Sequence, residues 1–356
     1  MKLKVIIQIV TWNSEKFLKD CLDSIFQQTF KSFSVLIIDN GSTDKGMEMV
    51  RNDYSKEKIK EKFKRKTSIF IFQNNKNLGF SQAHNQGFNL CRSEYVLVLN
   101  PDVILQPDFL AKLVRIANKE KKFGSFGGKL LRIMTGDAEC GEKIKTDIID
   151  STGLNMLKNR HFVDRGQGEK DKGQYDRLTD VFGISGACVL YRRRALEDVK
   201  INDEYFDQDF FAYQEDIDLA WRLQSGGWPA LYAPQTRAYH YRGAGLKEKA
   251  NLFEIAQAHF QRSKMIEFFS YRNHLWLLLK NLCWSDFFHY FLWILLYQFG
   301  KKIYLFFTKP KILFKAGFSF FSKFGKMLKK RKIIREKAKI RPKELRKWIK
   351  KSRFYQ

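Results

Sequence analysis

Short apolar runs alternate with amphipathic stretches along the N-terminal part of the chain. Four of these runs have the length and composition of buried strands: Val5–Val10, Val35–Ile38, Ile69–Phe72 and Tyr95–Leu99. The clearest helical patterns between them extend from Ser14 through Gln28 and from about Ser81 to Cys91. Strands and helices that alternate at this spacing predict the α/β class, with a parallel sheet covered by helices on both faces.

A polar cluster follows each of the four predicted strands. The clusters are Thr11-Trp12-Asn13-Ser14, Asp39-Asn40-Gly41-Ser42-Thr43-Asp44, residues 74–79 and Asn100-Pro101-Asp102. Ligands of open parallel sheets bind outside the carboxyl ends of the strands. The clusters therefore predict one binding site along this edge of the sheet.

Two polar segments interrupt the alternation. We interpret Asn52–Lys66 as a solvated helix or loop and Ile133–Gln174 as an excursion or hairpin, because both are rich in charged residues. The remaining pattern predicts a small-residue turn that enters a strand at Gly183–Leu190, a segment Phe206–Arg222 that leads into a helix with its first turn at Glu215 and Asp216 and its stop at Gly226-Gly227, and a strand around Ala230–Ala233.

The chain changes character after about Ala250. A helix is predicted from Ala250 to about Phe269, and Phe287–Phe299 is an uncharged run that is shorter than the roughly 20 residues needed to span a bilayer. Bulky aromatic residues then alternate with lysines as far as Phe324, which suits a segment that lies in the headgroup region of a membrane. We therefore predict an α/β domain over residues 1–250, a helical, aromatic-rich membrane-surface segment over 251–325 and a basic tail over 326–356.

Charge is concentrated at the end of the chain. The 356 residues have a formal net charge of +27, and Lys301–Gln356 contains 21 of the 65 Lys and Arg residues but only two acidic residues. A charged fraction of 29% excludes a polytopic membrane protein. The five cysteines form no CxxC pair, which argues for reduced thiols in a cytosolic protein and against a structural zinc site.

Clustered basic residues point to an anionic partner. Three interpretations are open: nucleic-acid binding, a disordered solubilising tail and attachment to an anionic membrane surface. No nucleic-acid-binding module precedes the tail. The aromatic-rich stretch favours the membrane surface, where each Lys or Arg contributes about 1 kcal/mol. We therefore expect a cytoplasmic protein, peripheral on the inner face of the cell membrane, without a nucleic-acid partner.

Two carboxylates at strand ends are candidates for ligand binding. Asp39 is placed to accept hydrogen bonds from a nucleobase or a ribose hydroxyl. The alternative is an N-cap for the following helix, which Ser42 or Asp44 supplies equally well. Asp102 is placed to hold Mg²⁺ or Mn²⁺ against a diphosphate, because these cations use one or two carboxylates together with substrate phosphates. The alternative for Asp102 is a strand-ending turn in which Pro101 sets the backbone.

Three acidic residues lie close together near the start of a predicted helix. Glu215, Asp216 and Asp218 fall where the helix dipole favours negative charge, and one of them is a candidate general base toward an acceptor hydroxyl. Asp218 and Arg222 are four residues apart and are expected to form an ion pair on the helix surface.

His240 and Arg242 form a last candidate cluster. His240 is either a structural residue or a nitrogen ligand beside a cation held by Asp102. The planar guanidinium of Arg242 is suited to clamp a diphosphate.

The order of these clusters is more specific than any one of them. The series TWN, IDNGSTD, NxGF…N, NPD, GACVLYRR, FFAYQEDIDL and YHYRG resembles the family 2 glycosyltransferases over roughly residues 2–245. It looks most like the rhamnosyltransferase-type branch, which has Asn-Pro-Asp in place of Asp-x-Asp. The resemblance implies a GT-A fold for residues 1–250, inverting transfer and a nucleotide-sugar donor.

The resemblance also implies roles for individual residues. Asp216, with Glu215 beside it, matches the catalytic base, and Asp102 matches the metal-coordinating acid, to which we add His240. The donor side comprises the nucleoside-binding positions Thr11, Asn13 and Asp39, the segment with Asn77, Gly79 and Asn85, and in addition Asn100 and Arg242. The expected cofactor is Mn²⁺ or Mg²⁺, the candidate donor is dTDP-rhamnose, and the expected acceptor is a lipid-linked glycan of cell-surface polysaccharide synthesis.

A sugar-phosphate nucleotidyltransferase is the alternative function, since such enzymes also hold Mg²⁺ with acids at strand ends. The segment TWNSEKF after the first strand is not the Gly-rich, basic phosphate loop that this alternative requires. Activation of a sugar phosphate by a nucleoside triphosphate would distinguish the two functions.

Overall fold

The computed structural model describes residues 4–64, 67–135, 143–241 and 264–349. Strands and helices alternate in its first part, which contains β1 (Val5–Thr11), α1 (Glu15–Phe26), β2 (Phe33–Asp39), α2 (Gly46–Asp53), α3 (Lys56–Phe63), β3 (Ile69–Gln73), α4 (Phe80–Leu90), β4 (Tyr95–Leu99), β5 (Val103–Leu105) and α5 (Phe109–Lys119). The four predicted strands and the two predicted helices are therefore confirmed, each to within two residues at either end.

The second part adds short strands before the helices resume. It contains β6 (Ser125–Thr135), β7 (Lys143–Ser151), β8 (Leu154–Met156), β9 (Phe162–Asp164), β10 (Thr179–Val181), β11 (Cys188–Arg192), α6 (Arg193–Val199), α7 (Glu215–Ser225) and β12 (Ala230–His240). The C-terminal helices are α8 (Lys264–Asn281), α9 (Trp284–His289), α10 (Phe291–Thr308), α11 (Pro310–Ser322), α12 (Phe324–Lys337) and α13 (Pro342–Leu345). Of the helix predicted from Ala250, residues 250–263 lie outside the described part.

One sheet organises the α/β body. Its strand order is β10-β12-β6-β11-β4-β1-β2-β3, with β5 beside β12 and β7 beside β6. Strands β3, β2, β1 and β4 are parallel, which confirms the predicted parallel arrangement, and β11 runs antiparallel to β4. Because β1 and β2 are parallel neighbours, Thr11 and Asp39 lie side by side at their carboxyl ends.

Both faces of the parallel strands are buried. Val5, Ile7 and Ile9 of β1 pack with α1 and α5 in one hydrophobic cluster, and Ile6 packs with α4 and α7 in another. Coverage on both faces explains why these strands are continuous runs of Val, Ile and Leu. A third cluster joins Trp221 of α7 to Trp276 of α8, so the C-terminal helices pack on the α/β body.

Helix α7 begins at Glu215, which confirms that Glu215 and Asp216 lie in its first turn. Phe211, Tyr213 and Gln214, just before it, have positive φ values of 66°, 70° and 69°. Each non-glycine residue in such a conformation costs on the order of 1–3 kcal/mol. The apolar pattern does not reveal this strain, because it carries no information on backbone dihedral angles.

The C-terminal helices expose many large apolar side chains. Among the described residues, no helix combines the length and the hydropathy needed to cross a bilayer. Five phenylalanines of α9–α11 are nevertheless at least 69% exposed: Phe288, Phe307, Phe314, Phe318 and Phe321. The opposite sides of α10 and α11 are packed through buried Ile294, Leu305, Ile312 and Ala316. These helices therefore have one packed side and one apolar side that faces solvent.

Candidate active site

The loops that follow β1 and β2 are tied together by Asn13. Its side-chain oxygen accepts the backbone N–H of Thr43 at 2.8 Å, and its own backbone N–H donates to the hydroxyl of Ser42 at 3.0 Å. Asn13 has a φ of 51°, in the left-handed region that asparagine enters more readily than most residues. Asn13 therefore shapes the edge of the sheet beside Thr11 and Asp39.

Asp39 is buried at the end of β2, and its two carboxylate oxygens have different surroundings. Oδ1 accepts the backbone N–H of Ser42 at 3.0 Å and closes a local turn. Oδ2 is buried and has no hydrogen-bond partner among the residues that the structure describes. A helix cap does not explain Asp39, because α2 begins only at Gly46. One oxygen is thus available to a polar group of a ligand.

Asn77, Gly79 and Asn85 connect α4 to the segment before α7. Asn77 accepts the backbone N–H of Gly79 at 2.8 Å. Gly79 has a φ of 84°, and a Cβ atom there would lie 2.6 Å from Phe211. Asn85 is buried and binds the backbone of Phe206 in both directions, donating to its carbonyl at 2.7 Å and accepting its N–H at 2.9 Å. These three residues thus support the segment that leads to Glu215 and Asp216.

Asp102 and His240 face each other at the ends of β4 and β12. Nε2 of His240 lies 3.4 Å from Oδ1 of Asp102, and Nδ1 lies 2.8 Å from Oδ2 of Asp150. Nε of Arg132 is 3.8 Å from the other oxygen of Asp150. Burial lowers the pKa of His240, but the two carboxylates outweigh it and raise this pKa to about 9.

This arrangement suits a divalent cation that replaces the proton on Nε2 of His240, since a histidine binds metal only in its neutral form. Oδ1 of Asp102 is buried, and apart from the 3.4 Å ion-pair contact with His240 it has no partner in the described part of the chain. A histidine that binds a metal commonly donates its other ring N–H to a carboxylate, and Asp150 is so placed for His240. Within the described ranges, no group of three or more His, Cys, Asp or Glu side chains could hold a metal ion. A cation here would therefore depend on substrate phosphates and water as well, as Mg²⁺ usually does.

Asp216 lies in the first turn of α7 and is partly exposed. Its Oδ2 accepts the backbone N–H of Gly186 at 2.9 Å, and its Oδ1 accepts that of Ile217 at 2.8 Å. A Cβ atom at position 186 would lie only 3.0 Å from the Cβ of Asp216, so a glycine there permits the close approach. Burial raises the pKa of Asp216, and the amide hydrogen bonds only partly offset it.

Glu215 differs from Asp216 in its accessibility. Its side chain is buried, and Oε2 has no hydrogen-bond partner among the described residues. Burial, reinforced by the neighbouring Asp216, raises the pKa of Glu215 well above its ordinary value. Of the two carboxyl groups, Asp216 is therefore the better placed to meet a substrate hydroxyl.

One short turn joins the two parts of the site. The carbonyl of Ala187 accepts the backbone N–H of Asn100 at 2.9 Å, and Gly186, directly before it, donates to Asp216. The turn before β11 thus contacts both the Asn100-Pro101-Asp102 segment and the first turn of α7. The cation candidate and the base candidate consequently belong to one region of the molecule.

The expected ion pair between Asp218 and Arg222 is present at 2.9 Å, but its predicted place on the helix surface is wrong. Both side chains are buried. Lys280 of α8 covers Asp218 with its Nζ 2.8 Å from Oδ1, and Arg222 donates to the backbone carbonyls of Val199 and Tyr205. Burial raises the pKa of Asp218, but Lys280 and Arg222 outweigh it and hold this pKa well below its ordinary value.

The sequence does not identify Asp150 or Lys280 as residues of the site. The predicted role of Arg242 falls outside the described residues. Asp150 belongs to the polar segment Ile133–Gln174, where one more acidic residue does not stand out. Lys280 does carry a signal, since it is a lone lysine directly after the apolar run Leu275–Leu279. A lysine is almost never fully buried unless it is paired, so a lysine in such an apolar setting suggests an acidic partner.

Comparisons with known protein families agree with the residue pattern. The family model described as Glycosyl transferase family 2 matches residues 6–200. A second model, described as Glycosyl transferase family group 2, matches residues 151–318.

Two curated bacterial proteins are similar to this chain. The N-acetylglucosaminyl-diphospho-decaprenol L-rhamnosyltransferase of Mycobacterium tuberculosis is 27% identical over 248 residues, which are 65% of this chain and 74% of that protein. The poly-beta-1,6-N-acetyl-D-glucosamine synthase of Staphylococcus aureus is 26% identical over 227 residues, which are 64% of this chain and 47% of that protein.

Two solved structures share the fold. GalNAc-T7 with UDP, GalNAc and Mn²⁺ has a TM-score of 0.54 at 13% identity and covers 78% of this chain and 48% of its own. The mannosyltransferase PcManGT from Pyrobaculum calidifontis, with GDP-Man and Mn²⁺, has a TM-score of 0.51 at 14% identity and covers 91% of this chain and 76% of its own. The predicted GT-A fold is thus confirmed. Because the first family model matches more than half of the chain, the chain belongs to glycosyl transferase family 2, and it is similar to a rhamnosyltransferase of that family.

Proposed function

We propose that this protein transfers a sugar from a nucleotide-sugar donor to a hydroxyl group of a glycan acceptor, with inversion at the anomeric carbon. The main support for the proposal is the turn at residues 185–187. It contacts both Asn100, two residues before Asp102, and the carboxylate of Asp216. The buried free oxygen of Asp39 adds a candidate contact for the nucleoside, beside Thr11 and Asn13. A nucleoside, a diphosphate and an acceptor hydroxyl thus each have a candidate partner along one edge of the sheet.

Asp216 is the proposed general base. Its carboxylate takes the proton of the acceptor hydroxyl while that oxygen forms the new bond to the anomeric carbon. At the same time the bond from the anomeric carbon to the diphosphate oxygen breaks, and its electron pair leaves with the nucleoside diphosphate. Attack on the face opposite the leaving group inverts the configuration. General-base assistance of this kind is typically worth about 10²–10⁴-fold in rate.

Asp102 and His240 are the proposed ligands of a divalent cation, Mn²⁺ or Mg²⁺. When bound, such a cation supplies positive charge that stabilises a diphosphate leaving group. Asp150 holds the imidazole of His240 so that Nε2 faces Asp102. The two solved structures with this fold contain Mn²⁺, which supports the proposal.

The proposed substrates follow from the mycobacterial relative. Its name specifies the transfer of L-rhamnose to a lipid-linked N-acetylglucosaminyl diphosphate. We therefore take dTDP-rhamnose as the donor to test first and a lipid-linked glycan of cell-surface polysaccharide synthesis as the acceptor.

The proposed place of action is the inner face of the cell membrane. Exposed lysines, such as Lys302, Lys311 and Lys315, lie among the exposed phenylalanines of α10 and α11. Large exposed apolar patches are uncommon on soluble monomers, whereas an anionic headgroup layer accepts both aromatic rings and basic side chains. A lipid-linked acceptor would be presented at the same surface.

Transfer assays with a panel of nucleotide sugars, in Mn²⁺ or Mg²⁺, test the proposed function. We expect turnover with dTDP-rhamnose, and we expect Asp216→Asn to lower kcat by about 10²–10⁴-fold while nucleotide binding is retained. Asp203→Asn is the matched control, because Asp203 is an exposed acid of the preceding segment. Near-normal turnover of Asp216→Asn would remove Asp216 from the role, and activation of a sugar phosphate by a nucleoside triphosphate would replace the proposal with nucleotidyl transfer.

A further inference from the structure

The segment that leads into Glu215 and Asp216 is held from outside by the C-terminal helices. We call residues 204–214 the carboxylate loop. Three of its residues have positive φ values, and strain of this kind persists only where the surrounding structure over-determines the conformation. Contacts from α8 and α12 supply that support.

Asn273 of α8 holds the strained part of the carboxylate loop directly. Its side chain is fully buried, and Nδ2 lies 2.9 Å from the carbonyl oxygen of Phe210 and 2.8 Å from those of Ala212 and Tyr213. Arg272 fixes the orientation of this amide by donating to its Oδ1 at 2.8 and 3.0 Å. One side chain of α8 thus binds three backbone carbonyls of the loop.

Lys330 of α12 holds the beginning of the same loop. Its buried Nζ lies 2.8 Å from Glu204, 2.5 Å from Asp207 and 2.8 Å from Asp209. An ammonium group has three N–H donors, so here each donor can meet a different carboxylate. Lys330 lies beyond both matched family models.

Lys280 links the carboxylate loop to α7, the helix that contains Asp216. Its Nζ lies 2.5 Å from Asp207 and 2.8 Å from Asp218, and all three side chains are buried. Asp207 is therefore shared between Lys280 and Lys330, and Asp218 lies two residues after Asp216. The two C-terminal helices, the loop and the first turn of α7 form one connected ionic network.

A buried ionic network is an inefficient way to stabilise a fold, since well-packed apolar residues of similar volume often do as well or better. What such a network does provide is a fixed geometry, because every charge must keep its partner. We propose that Asn273 and Lys330 are positioning residues of the glycosyl transfer, which hold the carboxylate loop so that Asp216 meets the acceptor hydroxyl. The proposal rests on the proposed function, and neither residue touches a substrate.

A pair of adjacent lysines on α12 tests the proposal. Lys330→Met and Lys329→Met each remove one positive charge from the helix, but Lys329 is exposed. At saturating substrates we expect Lys330→Met to lower kcat by about 10- to 100-fold, because a small misplacement of a reacting group has an effect of this size. The KM for the donor and the calorimetric affinity for the nucleoside diphosphate should not change, and Lys330→Arg should restore most of kcat. Lys329→Met should behave as the unaltered protein.

Hydrogen–deuterium exchange provides a readout that needs no turnover. Backbone amides of the carboxylate loop should exchange faster in Lys330→Met than in Lys329→Met, while those at the ends of β1 and β2 stay unchanged. If the unaltered protein transferred no sugar, the proposed function would fail and the exchange result would still decide whether Lys330 holds the loop. Asn273→Ser replaces Lys330→Met in both measurements if the latter does not fold.

Three results would overturn the proposal: equal kcat for Lys330→Met and Lys329→Met, unchanged exchange in the carboxylate loop, or a loss of nucleotide affinity in parallel with kcat. The last result would reveal general destabilisation instead of positioning.

Discussion

Asp216 and Asp218 are two residues apart on α7, yet their pKa values move in opposite directions. Burial acts to raise both. Asp216 meets only neutral backbone N–H groups, at Gly186 and Ile217, and its pKa stays raised. Asp218 meets Lys280 and Arg222, so its pKa is lowered instead. The charge of the partners therefore separates a carboxylate that can accept a proton from one that remains ionised.

The raised pKa of Asp216 predicts how activity depends on pH. As the pH falls through this pKa, the carboxyl group becomes protonated and can no longer accept the proton of the acceptor, so kcat/KM should fall. The midpoint of this acid limb should lie above about 3.9, the ordinary pKa of aspartate. A profile of kcat/KM against pH measures it. An acid limb centred at or below the ordinary value would contradict the assignment of Asp216 as base.

Gly79 provides a stability prediction at a single position. Gly79→Ala places a Cβ atom 2.6 Å from Phe211 at a φ of 84°, so it should lower the free energy of unfolding by about 1–3 kcal/mol. Gly300→Ala is the control, because a Cβ atom there meets no described atom within 4 Å, and alanine is favoured over glycine in a helix by about 1 kcal/mol. Chemical denaturation measures both variants. Equal effects would show that Gly79 is not sterically constrained.

Among the secondary-structure elements, local sequence patterns were sufficient to predict β1–β4 and the helices α1 and α4. Tyr95–Leu99 was predicted to the residue, because a buried strand is a continuous apolar run whatever surrounds it. The strained backbone of residues 211–214 was not predictable, since Asn273 of α8, which is distant in sequence, binds the carbonyls of Ala212 and Tyr213. The buried state of Asp218 has the same origin, because Lys280 of α8 covers it. Arg222 is buried against the backbone carbonyls of Val199 and Tyr205.

The candidate site likewise contains some residues that the sequence reveals and others that it does not. Asp39, Asp102 and Asp216 could be identified because each lies beside the end of an apolar element, a position that sequence reveals. Asp150 could not, since it belongs to β7, a strand that joins the sheet from a polar segment. Its approach to His240 is a product of the sheet topology and leaves no mark on the local pattern.

Strand β7 contributes a prediction about cation binding. Asp150→Ala should lower the affinity for Mn²⁺ by about 10- to 100-fold, because a carboxylate behind a metal-binding histidine has an effect of this size. Calorimetric titration with Mn²⁺ in the presence of a nucleoside diphosphate measures it. Asp147→Ala on the same strand is the control, since Asp147 forms only an exposed ion pair with Lys170 at 3.2 Å. Equal affinities in the two variants would argue against His240 as a ligand.

At the scale of the whole molecule, the basic C-terminal segment has two kinds of positive charge. Lys326 and Lys330, at the beginning of the predicted basic tail, pair with acids of the carboxylate loop, and Lys330 is buried. Lysines of α10 and α11 instead lie exposed among phenylalanines. Charges of the first kind are already paired with acids, so the formal charge of the segment overstates its attraction to an anionic surface.

Vesicle flotation tests the membrane proposal. The protein should float with vesicles that contain anionic lipid, and less so as salt is raised, because salt screens exposed charges. Replacing Phe314 and Phe318 together by serine should reduce flotation. Phe70→Ser is the control, because Phe70 is an exposed phenylalanine on the edge strand β3. Absence of flotation, or an equal loss in the control, would contradict a membrane role for α10 and α11.

The ionic network around Lys330 has a consequence for anyone who recombines this enzyme with its relatives. A chimera cut after the last recognisable motif, near residue 245, would inherit all the family's signature residues. It would also inherit Glu204, Asp207, Asp209 and Asp218 without Lys280 and the lysines of residues 323–330 that pair with them, and like charges packed together repel. A segment of this enzyme that is exchanged with a relative should therefore extend through α12, well beyond the last signature residue.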